Sequence, residues 1–138
     1  MLGTTNYLGL TDALLEEGPI RSFMKPVCNE SLWLLSSGPL AADSPNLLAS
    51  ERMKARSTEL RKAFDFVIVD APPVSRYADA NVLGQLSDGI VLVLEAEYTR
   101  REAARRSVES LRSSEVQILG AVLNKRTFPI PDKIYNRL

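Results

Sequence analysis

The sequence predicts an α/β protein built on a wound, mainly parallel sheet flanked by helices. Three observations predict it. The apolar runs at 64–70, 89–94 and 118–123 are nearly continuous in aliphatic and β-branched residues rather than alternating with polar ones. Strands of that kind are buried on both faces, as in a parallel sheet covered by helices. Longer amphipathic stretches separate the runs, and the order helix, strand, helix, strand repeats along the chain, which is βαβ winding.

Each element has a local reason. Thr11 to Glu17 forms a short helix closed by Gly18-Pro19. Leu32-Trp33-Leu34-Leu35 is a strand stopped by Ser36-Ser37-Gly38-Pro39. Ser44 followed by Pro45 reads as an N-cap with proline at the first helical position. The helix it opens runs to Ala63, with Met53, Leu60 and Phe64 inward and Glu51, Arg52, Lys54, Arg56, Glu59 and Arg61 on a solvated face. The run Phe64-Asp65-Phe66-Val67-Ile68-Val69-Asp70 is a central strand ended by Ala71-Pro72-Pro73. Asp79 to Leu86 is a shorter helix. Asp88-Gly89 turns into the strand at 90–94. Thr99-Arg100-Arg101-Glu102 has the form of a capping box and opens a helix to about Arg112, with Ala104, Val108 and Leu111 inward. The last strand, 118–123, ends at Asn124. Residues 127–138 contain two prolines and read as an extended C-terminal tail on a single domain spanning 1–138.

The bulk numbers bound the chemistry. The chain has 138 residues, enough for one domain with a real core. Lys plus Arg is 17 and Asp plus Glu is 17, so the net charge is zero and gives no support to a nucleic-acid partner. There is no histidine, which removes Ser-His-Asp, Cys-His and histidine-zinc chemistry together. The lone Cys28 cannot staple its own chain and reads as a small apolar residue. No apolar run approaches the ~20 residues needed to span a bilayer. The N-terminus lacks a signal peptide's basic and apolar regions, so the expected location is the cytoplasm.

In wound parallel sheets, ligands sit beyond the carboxyl ends of the strands. Asp70 stands there, after four apolar residues. A carboxylate at that place suits a hard, oxygen-preferring magnesium ion beside phosphates. Aspartate also suits turns, so the pattern alone leaves both readings open. The two following prolines stiffen the segment more than a simple turn needs. Asn124 carries an amide that can pair with adenine, yet by itself it reads as a polar strand terminator. Asp79 reads first as a helix cap and second as an active-site contact. Thr99 is explained by its capping box. Arg100, Arg101, Arg105, Arg106 and Arg112 read as a solvated helix face, with a partner surface the minority alternative.

The segment from Phe64 through Asp70-Ala71-Pro72-Pro73-Val74, followed by Asp79-Ala80, resembles the Walker B region of the bacterial tyrosine kinases that accompany capsule and exopolysaccharide export. These are P-loop ATPases related to the cell-division and plasmid-partition ATPases. Further pieces agree in order and spacing. They are Asn6-Tyr7-Leu8-Gly9-Leu10-Thr11-Asp12-Ala13-Leu14, Leu34-Leu35-Ser36-Ser37-Gly38-Pro39, Ser44-Pro45-Asn46-Leu47-Leu48-Ala49-Ser50, Ser87-Asp88-Gly89-Ile90-Val91-Leu92-Val93 and Ile118-Leu119-Gly120-Ala121-Val122-Leu123-Asn124. The resemblance runs from about Asn6 to Asn124. It implies ATP and Mg2+ as cofactors, Asp70 as the acid on the metal, and Asn124 at the adenine.

The chain departs from that family at the phosphates. Phosphate loops end in Gly-Lys-[Ser/Thr] because backbone N–H groups and the lysine neutralise the phosphates. The seven glycines here are scattered and none precedes a lysine. The family's second aspartate motif has no counterpart, and its C-terminal tyrosine cluster is reduced to Tyr135. The chain therefore reads as the C-terminal portion of such a domain, not competent for catalysis alone. The alternative is a stand-alone regulatory module that completes or modulates a full-length partner. The expected partners are a second copy, a full-length homologous ATPase, or a membrane polysaccharide-export protein that holds the chain at the inner face of the membrane. A fragment of a partition-type ATPase is a weaker third option. Losing a neighbour strand would leave the 64–70 strand on an open edge.

Overall fold

The computed structural model describes residues 7–28 and 31–127. They form two compact units, 1–71 and 72–138, each taken by itself below.

The first unit opens with helix α1, Leu10–Leu15, and a single 3-10 turn, Ile20–Phe23. Strands β1, Lys25–Cys28, and β2, Leu32–Leu34, follow and pair antiparallel, with Pro26 opposite Trp33. The run at 32–35 is thus a strand as expected, but a hairpin arm rather than part of a parallel sheet. Its partner β1 was hidden because proline cannot donate to a ladder and argues against a strand except at an edge.

The helix expected from Ser44 to Ala63 is two helices, α2, Ser44–Leu48, and α3, Glu51–Ala63. Ser50 Oγ accepts the N–H of Met53 at 3.2 Å and caps α3, so the break falls where a good N-cap residue lies inside the pattern. Asp43, not Ser44, is the N-cap of α2, and Ser44 Oγ instead donates to the Ala41 carbonyl at 2.9 Å. Met53 and Leu60 are buried, and Phe64 packs against the cluster of Ala13, Ile20, Phe23 and Leu60.

The run ending at Asp70 departs most from expectation. Residues 66–70 belong to neither sheet, and Phe66 and Ile68 are 90% and 93% exposed. The residues have strong strand propensity, but a strand exists only where a second backbone takes up its N–H and C=O groups. Among the described residues none does so here.

The second unit contains α4, Asp79–Gln85; β3, Ile90–Glu95; α5, Arg101–Ser113; and β4, Ile118–Asn124. Strands β3 and β4 pair parallel, Val91 with Gly120 through to Glu95 with Asn124. This is the βαβ crossover that the sequence predicts, with α5 as the connection. One face of the pair packs through Leu92 against Leu111 and Val116, joined by Val74, Ile90, Val108 and Ile118. Val91, Val93 and Val122 share the other face and are exposed, so the expectation of strands buried on both faces is not met within the described residues. Among the described residues the chain is α/β with one parallel pair and one antiparallel pair, a smaller sheet content than full winding requires. Residues 128–138 of the expected tail lie outside the described residues, as does the side chain of Cys28.

Candidate functional site

The carboxyl ends of β3 and β4 lie side by side because the pair is parallel and in register to its last residues, Glu95 and Asn124. Beyond them lies a cavity of about 460 Å3. Its wall includes Glu95, Thr99, Arg101, Leu123, Arg126 and Thr127. A volume of that order holds a small organic ligand.

The backbone at this rim turns sharply. Glu97 and Lys125 both have left-handed φ values, 63° and 55°. Asn124 Oδ1 accepts the Lys125 N–H at 2.8 Å, which holds the second of these turns. Lys125 Nζ reaches Glu95 Oε1 at 2.8 Å, and Thr127 Oγ1 donates to Glu97 Oε1 at 3.1 Å, so two bonds tie the ends of the strands together. Asn124 is exposed, with its Oδ1 turned to its own backbone, and it is not among the residues that line the cavity.

Thr99 does not close a capping box. Its Oγ1 accepts the Glu95 N–H at 2.9 Å, and the N-cap of α5 is Arg100, which makes no side-chain cap bond. The hydroxyl has gone to the loop rather than the helix, as threonine side chains do when a nearby backbone donor competes. Asp79 is the first residue of α4 rather than its cap, the N-cap being Ala78. In the first unit, Asp70 is exposed at the end of the unpaired run.

Among the described residues no three acids, histidines or cysteines gather as a metal cage. A magnesium ion on a nucleotide needs no such cage: it keeps several waters and takes one or two carboxylates plus phosphate oxygens. A lone exposed Asp70 fits that donor set.

The polar residue that pattern reading missed is Arg56. Expected on a solvated face, it is 7% exposed. Its guanidinium donates to the carbonyls of Ala13, Gly18 and Glu16 at 2.9, 2.7 and 3.2 Å, and lies 5.5 Å from the Phe23 ring centroid. It gathers the C-terminal carbonyls of α1, groups that have no partner within the helix. Helical position alone hides this, since Arg56 falls three residues after Met53 beside the inner stripe. Among the described residues no helix is long and apolar enough to cross a membrane.

No protein-family model matches the chain. Known proteins do. The tyrosine-protein kinase YwqD of Bacillus subtilis is 36% identical over 119 residues, covering 86% of this chain and 50% of that kinase. The tyrosine-protein kinase CpsD of Streptococcus pneumoniae is 28% identical over 117 residues, covering 85% of this chain and 52% of that one. The crystal structure of the VpsO kinase domain superposes with a TM-score of 0.81 at 25% identity, covering 88% of this chain and 60% of that chain. The homologues of this chain are bacterial tyrosine-protein kinases, and the chain spans about half the length of the curated relatives it matches.

Proposed function

We propose that this chain is the C-terminal part of a nucleotide-binding domain of the bacterial tyrosine-kinase kind, serving capsule or exopolysaccharide production. The likeness to YwqD, 36% over 119 residues, carries the reading. In it, residues 1–138 act as one domain. Magnesium-ATP, once bound, supplies the phosphoryl group and the charge that draws it into place. Asp70 holds the metal through a water. Asn124 donates from Nδ2 to the base, while its Oδ1 keeps the Lys125 turn in shape. Asp79, at the start of α4, is a third candidate contact. The parallel geometry of β3 and β4 supports the base end, because Asn124 ends β4 at the carboxyl rim of the pair, where ligands sit in such sheets.

A second reading is favoured by one observation: no glycine of this sequence precedes a lysine, so a phosphate loop has to come from elsewhere. In that reading the chain is a non-catalytic module that completes or modulates a full-length kinase, or a polysaccharide-export protein, at the cytoplasmic face of the membrane.

ATP hydrolysis by a full-length relative, measured with and without this chain, tests both. A changed rate that Asp70→Asn cancels supports the nucleotide-site reading. A changed rate that survives Asp70→Asn supports the regulatory module. An unchanged rate overturns both. For the chain alone, calorimetry is expected to find only weak magnesium-ATP binding; tight binding abolished by Asp70→Ala would overturn the need for a supplied loop.

A further inference from the structure

Among the described residues, three that are not glycine take a left-handed backbone. They are Glu97, Glu115 and Lys125, at φ values of 63°, 57° and 55°. Glu115 has an ordinary reason: it follows Ser114, the C-cap of α5, where helices commonly end left-handed. Glu97 and Lys125 have no helix to end. They stand in the turns just past β3 and β4, whose last residues, Glu95 and Asn124, are paired. Glycine would take either place without the steric cost that a side chain brings. What glycine lacks is the side chain, and both side chains are engaged across the rim. Lys125 Nζ meets Glu95 Oε1 at 2.8 Å, and Glu97 Oε1 accepts the Thr127 hydroxyl at 3.1 Å. Backbone held in a costly conformation by such ties clusters at functional sites.

We propose that Lys125 and Glu95 are positioning residues for the base site and set its preference for adenine over guanine. The proposal rests on the role given to Asn124 above. The chain of contacts is short. Thr99 Oγ1 accepts the Glu95 N–H at 2.9 Å and steadies Glu95. The ion pair from Glu95 holds Lys125 in its left-handed turn. The Lys125 N–H then reaches back to Asn124 Oδ1 at 2.8 Å, and the Asn124 carbonyl accepts the Ala96 N–H at 2.9 Å.

The Asn124 amide is thereby kept from turning end for end. Its oxygen is committed to the turn and keeps one further lone pair. An amide fixed in this way offers Nδ2 as a donor beside that lone pair as an acceptor. Adenine matches it with the N7 acceptor and the N6 donor. Guanine presents two acceptors, N7 and O6, on the same edge, so oxygen would face oxygen. Freeing the amide therefore lowers affinity for adenine and leaves guanine, which never used that pose, as it was. The side chains of the pair are 66% and 40% exposed, so the ion pair is a modest one and limits the size of the effect.

The test is an NMR titration of the full chain with magnesium-ATP and, separately, with magnesium-GTP at millimolar concentrations. It reads the backbone amides of Asn124 and Lys125, which report weak binding. The parent chain should prefer ATP. Lys125→Met should lower ATP affinity about fivefold, the most that an exposed ion pair supplies, with GTP affinity and melting temperature unchanged. Glu95→Lys/Lys125→Glu rebuilds the pair in reverse and should restore the preference. An equal loss for both nucleotides would mark the pair as structural and overturn the proposal. So would an ATP preference that survives Lys125→Met, or one that the reversed pair fails to restore. Asn124→Asp separates the two failures. If it erases the preference while Lys125→Met does not, the positioning role falls and the base site stands. If it leaves the preference intact, or if neither nucleotide moves these amides, the base-site reading falls and the proposal falls with it.

Discussion

Arg56 and Glu59 stand one turn apart on α3 and meet at 2.8 Å, and between them they fix the start of the first unit to that helix. Glu59 Oε1 accepts the Ile20 N–H at 2.7 Å, while the Arg56 guanidinium takes the carbonyls at the end of α1. Neither contact repeats with the helical period; both depend on chain distant in sequence.

Arg56→Ala strips the donor from the buried Ala13 carbonyl and from the part-buried Gly18 carbonyl, so it should cost about 3 kcal/mol by urea unfolding. Arg56→Lys should recover little, because an ammonium cannot spread over three carbonyls as the planar guanidinium does. Full recovery by lysine would show that charge alone matters there.

Glu59 gives the first unit an acid-sensitive contact. The Ile20 N–H first, then the Arg56 guanidinium, lower its pKa below the ordinary carboxylate value. A lowered folded-state pKa gives stability that is fully present above the unfolded value of about 4.3 and is lost as pH falls through the folded value. Glu59→Gln should therefore flatten the fall of melting temperature below about pH 4.3, with its loss relative to the parent chain greatest at neutrality and shrinking in acid. An acid limb unchanged in Glu59→Gln would remove this group from the acid response.

Gly9 and Gly120 predict opposite outcomes. A Cβ on Gly9 would lie 2.5 Å from the Gly38 N and closer still to the Ser36 carbonyl, both backbone atoms with little room to move. Leu10 and Thr11 donate to Ser36 and Ser37 across that same contact, at 2.8 and 3.0 Å. Gly9→Ala should destabilise by about 2 kcal/mol or more. Gly120 has nothing within 4 Å of such a Cβ, and Gly120→Ala should be neutral or slightly stabilising. Thermal melts of the two variants side by side decide this.

Asn124→Asp separates two roles of one side chain. It keeps the oxygen that accepts the Lys125 N–H and removes the Nδ2 donor. Adenine-nucleotide affinity, measured with a full-length relative present, should fall about tenfold while the melting temperature holds. Unchanged affinity would remove Asn124 from the base site.

Much of the fold was legible where local chemistry decides it. The parallel β3/β4 pair, its α5 crossover, the inner residues Met53, Leu60 and Leu111, and the rim position of Asn124 all follow from periodicity and apolar runs. What escaped depends on partners outside the window. Ser50 caps a second helix inside the stretch that the pattern reads as one, and Asp43 holds the N-cap position expected of Ser44. Thr99 turned to the Glu95 N–H instead of its own helix, and Arg56 became buried because α1 ends beside it. Asp70 was expected at a strand tip from the apolar run before it, but a strand requires a neighbouring backbone that no residue pattern can supply.

The unpaired run at 66–69 is bracketed by Asp65 and Asp70. Four apolar residues with high strand propensity and two flanking negative charges have the make-up of a sticky segment held apart by gatekeepers. Asp70 thus has a colloidal part to play beside the metal-holding role proposed for it. Neutralising it to probe the metal also removes a solubility guard, so Asp70→Ala should precipitate at lower protein concentration than Asp70→Glu. Light scattering on the two variants should accompany any assay that uses them.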